Sequence, residues 1–316
     1  MLSQVGFSFL TFKYKERMSN LSNPYISVII PVYNDPERLK ICLEALENQT
    51  YPKSCYEVIV VDNCSDESIK GIVSQFCQAV ATYESRIGSY AARNKGISLA
   101  KGDVIAFTDA DCIPASNWIE KGVASLVSVP NCGLVAGRID LFFKNPTQPN
   151  VVELYDSYYT TFCSQQTFIQ EHFGATANVF TFKSVIDKVG SFNHNLKSCG
   201  DQEWGKRIFS SGYQQIYVDD VCVAHPARYQ LSQLAKKAVR VTGGLYDLYK
   251  KNNQEFFIDL ARNLLPPYKI YSIAWSNEKL KGNKQKIEFT FVHLYLKYLT
   301  AWEKIRLKLG GESQRG

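Results

Sequence analysis

No stretch of the 316 residues reaches the roughly 18 uninterrupted apolar positions of a membrane-spanning helix. The first twelve residues are mildly apolar, but their charges follow the apolar part, the wrong order for a secretory signal. There is no Cys-x-x-Cys pair. The nine cysteines are odd in number and scattered, and several fall inside apolar patterns where a free thiol acts as a small hydrophobe. That usage predicts a reducing compartment, the cytoplasm. No Gly-x-Gly-x-x-Gly follows the first apolar run and there is no Walker loop, which argues against classical dinucleotide binding and P-loop chemistry. Internal repeats and low-complexity segments are absent. Only four histidines exist, and His225 alone sits at a strand end.

What is present is globular: 45% hydrophobic and 21% charged residues. The length exceeds one ordinary domain and predicts one large domain with an appendage. Net charge is +6, unevenly placed. From Gln230 onward there are 16 Lys/Arg and 7 Asp/Glu, so a basic tail of +9 follows a body of −3. Such a tail suits an anionic membrane surface or polymer, or is a solvated helical face.

Hydrophobic periodicity alternates strand and helix. Ile26-Ser27-Val28-Ile29-Ile30 reads as a buried strand. The helix after it has Asp35 as cap, Pro36 in its first turn and a stripe at Leu39, Cys42, Leu43 and Leu46. Val58 to Val61 is a second strand, and Ile69, Ile72, Val73 and Phe76 stripe a second helix. A third strand falls within 79–87, a helix within 89–100, and further strands at Val104 to Thr108 and Gly133 to Gly137. Fully apolar strands in this alternation predict a parallel sheet covered on both faces. Residues 174–180 read as an exposed turn entering a strand, 201–211 as a helix closed by Gly212, 217–221 as a short strand, and the chain beyond Ser232 as helical and aromatic. Residues 151–173 are left unassigned.

Asp109-Ala110-Asp111 ends the run Val104 to Thr108. Two carboxylates one residue apart form a hard oxygen site suited to a divalent cation carrying phosphate oxygens. Such a cation can turn a diphosphate into a leaving group. Ligands of open parallel sheets lie at the carboxyl ends of strands. Here those ends carry Pro31-Val32-Tyr33, Asp62-Asn63 and Asp109-Ala110-Asp111, so one rim is the expected site. The bland readings are a turn for Asp62, a solvent-facing Asn63, a helix-surface salt bridge for Arg93 and a cap for the paired acids.

Taken in order, several segments resemble an inverting family 2 glycosyltransferase with the GT-A fold, of the bacterial glycan-assembly type. They are Ser27 to Asn34, Val60 to Asp66, Ala91-Ala92-Arg93-Asn94-Lys95-Gly96, Gly102 to Asp111, Asn178, Val189-Gly190-Ser191-Phe192 and Gly200-Asp201-Gln202-Glu203-Trp204. The likeness runs from about Ile26 to Arg228. It implies a mostly parallel Rossmann-like α/β sheet flanked by helices, with a basic helical C-terminal extension. The implied organisation is an extension over 1–24, a catalytic domain over 25–230 (nucleotide-binding half 25–140, acceptor half 141–230) and a helical region over 231–316.

The resemblance also implies a nucleotide-diphosphate sugar donor, usually a UDP-sugar, with Mn2+ or Mg2+. Pro31, Val32 and Tyr33 would line the base and ribose pocket, Asp62 would accept from the base, and Arg93 would approach the nucleotide or its phosphates. Asp109 would lie near the ribose and Asp111 would bind the metal, with His225 as a further ligand or a buried structural imidazole. Inversion needs a base opposite the departing diphosphate. The family supplies it from the second position of an acidic pair at a late helix start. Gly200 replaces the first acid here, so the base falls to Asp201, with Glu203 as rival and a helix N-terminal cap as the bland reading. Asn178, Glu203 and Trp204 would stand on the acceptor side, although Trp204 is equally a core residue. Arg228 would hold the diphosphate or an anionic acceptor. The acceptor would be a glycan or lipid-linked; no nucleic acid is implied. The basic aromatic segment 284–309 would contact the inner membrane face, pack on the body or pair subunits in a homo-oligomer. The rival readings are a sugar nucleotidyltransferase and a non-catalytic nucleotide-sugar-binding protein.

Overall fold

A computed structural model describes residues 23–159, 164–249, 253–265 and 268–315. Nearly all of the extension expected over 1–24 lies outside them. Among the described residues, eight strands form one sheet: β1 (Ile26–Val32), β2 (Tyr56–Asp62), β3 (Ala79–Tyr83), β4 (Val104–Thr108), β5 (Ile113–Pro114), β6 (Cys132–Phe142), β7 (Asn178–Phe182) and β8 (Gln214–Pro226). Their order is β3-β2-β1-β4-β7-β6-β8-β5. The helices are α1 (Pro36–Glu47), α2 (Lys70–Val73), α3 (Ser89–Leu99), α4 (Trp118–Ser128), α5 (Val151–Tyr159), α6 (Gln165–Gln170), α7 (Lys183–Val189), α8 (Gly200–Ser210), α9 (Leu231–Leu248), α10 (Asn253–Leu264), α11 (Tyr268–Ser276) and α12 (Gly282–Lys308).

The sheet is parallel in its first half and antiparallel beyond it. β1 pairs in parallel with β2 and β4, and β2 with β3. β4–β7, β6–β7 and β5–β8 are antiparallel. The apolar runs that predict buried strands are those strands: β1 and β2 are covered on both faces, and β4 is buried throughout. The stripe Leu39, Cys42, Leu43 and Leu46 is buried on α1 as its spacing predicts.

Three local expectations fail for physical reasons. Asp35 does not cap α1; its carboxylate is taken by Arg38 at 2.7 Å. The second helix shrinks to the four residues of α2, because the Ser74 hydroxyl and Gln75 amide both bond the Gly71 carbonyl and offer the backbone an alternative to continued helix. Residues 174–177 are buried rather than exposed. The Gln165 side chain makes this possible, donating to the carbonyls of Ala175 and Asn178 and accepting the Ala175 amide at 2.8 Å.

The chain divides into two compact units. One comprises Met1–Asp140, Ser164–Asn193 and Asp201–Ala224 and holds nearly all of the sheet. The other comprises Leu141–Cys163, His194–Gly200 and His225–Gly316 and is helical. Its core gathers Leu154, Tyr155, Leu234, Ile270, Phe289 and Val292, with α12 packed along α9. On α12, Ile287, Phe291, Tyr295, Tyr298 and Trp302 follow one another at intervals of three or four residues and are all exposed, so they form one apolar face. Among the described residues, no helix is long and apolar enough to cross a membrane. The eight described cysteines are all free thiols.

Candidate active site

The rim is built from three strand ends in register. Pro31 lies beside Val61 and Val32 beside Asp62 in the parallel β1–β2 pair. Val32 is buried while Tyr33 is 62% exposed. Asn34 takes a left-handed conformation (φ 49°), which lets its amide side chain grip the Asp66 backbone and carboxylate at 2.8 Å each. Its own backbone N–H donates to the Ser65 hydroxyl. Asp62 accepts the Ser65 amide at 3.0 Å. Asn63 does not face solvent. It is 6% exposed, donates to the carbonyls of Glu84 and Arg86 and accepts the Gly88 amide. It ties the third strand end to the rim, a role that sequence spacing does not expose.

Asp109 and Asp111 follow β4, each about one-quarter exposed. The Cys112 amide bonds the Asp109 carbonyl and closes the turn. Arg93 is buried at 4% exposure and donates to Asp109 at 2.5 Å. It is thus neither a surface salt bridge nor an open cation but the fixed counter-ion of Asp109. The Arg38 guanidinium lies 3.6 Å from Asp111, between it and Asp35. Beneath the acids sit two thiols. Burial pushes the Cys42 and Cys112 thiols up, and the Asp111 and Asp109 charges push the same way. Both stay protonated and inert at neutral pH.

α8 begins at Gly200 and brings Asp201 and Glu203 into its first turn. Asp201 Oδ1 accepts the Gln202 amide at 3.0 Å and the Tyr90 hydroxyl at 3.4 Å. Tyr90 and Arg93 lie one turn apart on α3, so a single helix holds Asp201 and Asp109. Glu203 is engaged by Arg207 through both oxygens, at 2.7 and 3.1 Å. Arg207 also donates to the carbonyls of Val189, Gly190 and Ser191.

Two residues expected on the acceptor side belong to the core. Trp204 is fully buried against Phe107 and Phe192 and donates to the Gly190 carbonyl, so it offers no face to a sugar ring. Asn178 is also fully buried. It accepts from the Trp118 indole at 2.8 Å and donates to the carbonyls of Arg138 and Val221, which commits both its N–H groups to the core. Gly137 makes room for it: a Cβ there would stand 2.2 Å from the Val221 carbonyl and 2.5 Å from Asn178 Nδ2.

β8 meets β5 with Ala224 opposite Ile113, and His225 is the next residue of β8. His225 is 5% exposed and its Nδ1–H donates to the Pro226 carbonyl at 2.8 Å. A carbonyl only accepts, so Nδ1 is the donor in this contact and Nε2 is the ring nitrogen that could serve as a ligand atom. In the helical unit, Arg228 is held by the fully buried Asp156, which accepts its backbone amide at 2.9 Å and lies 3.4 Å from its guanidinium.

A sheet of this order with acids at its parallel strand ends is a GT-A glycosyltransferase architecture. The chain resembles the mannosyltransferase PcManGT from Pyrobaculum calidifontis, solved with GDP-Man and Mn2+ (TM-score 0.57, 17% identity, 96% of this chain and 84% of that one). It also resembles residues 1–349 of S. aureus TarS, solved with UDP (TM-score 0.51, 14% identity, 92% and 93% covered). Residues 27–190 match the model of Glycosyl transferase family 2. Glycosyltransferase AglE of Haloferax volcanii is 42% identical over 226 residues, spanning 70% of this chain and 73% of that protein. Glycosyltransferase GlyG of Streptococcus pneumoniae is 28% identical over 287 residues, 86% and 87% of the two chains. The protein belongs to glycosyltransferase family 2 and is a glycosyltransferase.

Proposed function

We propose that the enzyme moves a sugar from a nucleotide-diphosphate donor to an acceptor hydroxyl with inversion at the anomeric carbon, assisted by a divalent metal. The observation that carries this reading is the arrangement around α3, where Tyr90 holds Asp201 and Arg93 holds Asp109. A candidate base and a candidate donor-side carboxylate are thereby fixed to one rigid element.

In this reading Pro31, Val32 and Tyr33 form the nucleoside wall, Asp62 accepts from the base, and Asp109, oriented by Arg93, receives the ribose. Asp111 and His225 are the proposed metal ligands. The Asp111 carboxylate is the hard oxygen donor that Mn2+ or Mg2+ takes, and the His225 Nε2 would add a nitrogen ligand that suits Mn2+ better than Mg2+. Such an ion, when bound, stabilises charge on the departing diphosphate. Arg228, presented by Asp156, is proposed as a further anion contact. Asp201 takes the proton from the acceptor hydroxyl as the new glycosidic bond forms. The two solved relatives carry different nucleotides, GDP-Man and UDP, and a UDP-sugar is the donor proposed here.

The acceptor is proposed to be a glycan or lipid-linked molecule of exopolysaccharide or glycoconjugate synthesis. The exposed face of α12, flanked by the tail's lysines, supports contact with an anionic membrane surface. The experiment is Asp201→Asn. Transfer should fall by about 10²–10⁴-fold, while thermal stabilisation by UDP-sugar and Mn2+ stays intact. Unchanged turnover in that variant would overturn the assignment of the base.

A further inference from the structure

Asp109 and Asp111 stand in one turn but meet different cations. Asp109 is locked to the buried Arg93 at 2.5 Å. Asp111 faces Arg38 at 3.6 Å, and that side chain is 50% exposed. Arg38 extends from the first turn of α1 and is anchored on Asp35. Its Nε and Nη2 take the two oxygens of Asp35 at 2.8 and 2.7 Å, a bidentate fork. Nη1 is turned to Asp111 Oδ2.

The Asp35 fork is local, spanning three residues, so it holds the guanidinium in place when Nη1 lets go of Asp111. An ion pair at 3.6 Å on a half-exposed side chain contributes little to stability. The same guanidinium nevertheless keeps a full positive charge beside Asp111, because arginine stays protonated. A divalent cation that takes Asp111 must displace Nη1 from Oδ2 and then bear the repulsion of that charge at short range, where salt screens least. A bare cation therefore binds against a penalty. A cation that brings a diphosphate carries negative charge with it, which offsets the guanidinium.

We propose that Arg38 is a positioning residue that withholds Asp111 from a bare divalent cation and yields it to one bound to a diphosphate, so that metal and donor enter together. The inference rests on the reading of Asp111 as a metal ligand given above. It asks nothing of His225, and its three groups, Asp35, Arg38 and Asp111, all belong to the sheet-bearing unit.

The test titrates Mn2+ into the full chain at low ionic strength and follows the free ion by its electron paramagnetic resonance signal, with and without UDP. Without UDP, Arg38→Gln should bind Mn2+ about threefold to tenfold more tightly than the wild type. Loss of a structural contact would loosen the site, not tighten it. Arg38→Lys, which keeps the charge, should bind within about twofold of the wild type. The gain in Mn2+ affinity brought by UDP should be about threefold to tenfold smaller in Arg38→Gln, because ion and nucleotide are coupled through the guanidinium. Asp111→Asn should abolish measurable Mn2+ binding. Binding that survives Asp111→Asn would overturn the metal-ligand reading and this inference with it. Binding lost in Asp111→Asn but unchanged or weakened in Arg38→Gln, or equal tightening in Arg38→Gln and Arg38→Lys, would overturn the role of Arg38 alone.

Discussion

The Tyr90 hydroxyl meets the Asp201 carboxylate at 3.4 Å across 111 positions of sequence. This contact joins α3, which follows the third strand, to the first turn of α8. A hydrogen bond donated to a carboxylate favours its charged form. In a base that must begin ionised, removing it should act on the pH profile before it acts on anything else. Tyr90→Phe should lower kcat about threefold to tenfold, a partial loss of one general-base contribution, and move the acid limb of the kcat profile upward. An unshifted limb would show that the hydroxyl does not hold the base.

Arg93 is buried with its charge committed to Asp109. Replacing it with methionine leaves a partly buried carboxylate without its counter-ion. Arg93→Met should cost about 2 kcal/mol of stability, less than a fully buried pair because Asp109 is partly solvated. It should also weaken donor binding through a displaced Asp109. Chemical denaturation together with nucleotide titration checks both. Intact donor affinity would sever Asp109 from the donor.

Trp204 separates packing from recognition. Buried against Phe107 and Phe192, it should respond to substitution in stability and not in acceptor use. Trp204→Phe should lower stability by about 1–3 kcal/mol, from lost volume and the lost bond to Gly190. Its KM for acceptor should stay at the wild-type value. A raised KM with unchanged stability would return the indole to the acceptor side.

In the helical unit, burial pushes the His293 imidazole below its ordinary value of 6.5, and Lys297 adds to the effect. The unfolded chain then binds a proton more readily than the folded one. The stability contribution is present above about pH 6.5 and is lost as pH falls below it. Tyr155 shares a hydrogen bond with Nδ1 at 3.1 Å, which ties the effect to the core of the unit. Melting curves between about pH 5 and pH 7.5 should show destabilisation on the acid side that His293→Gln flattens. Parallel curves for the two proteins would contradict this.

The parallel half of the sheet and its rim were legible because their signals are local. A run such as Val104 to Thr108 reads as a buried strand wherever it is placed, and an acid at its end reads as a rim residue. The roles of Asn63, Gln165 and Asn178 were not legible. Each is an amide whose partners lie 10 to 60 residues away, and an amide has the same residue identity whether it meets water, a ligand or a buried carbonyl. Trp204 was ambiguous for a related reason. A tryptophan near a helix start suits both a sugar ring and a core, and only the closure of Phe107 and Phe192 around it decides between them.

By itself the sequence determined the strand–helix alternation, the carboxylates at the strand ends and the basic, aromatic character of the C-terminal helices. Those follow from hydrophobic period and composition, which act within a few residues. Tertiary structure alone decided that Arg93 is the counter-ion of Asp109, that Tyr90 meets Asp201, and that the sheet turns antiparallel beyond β4. Each depends on which distant groups share a buried volume, because a charge or amide shielded from water must find its partner there.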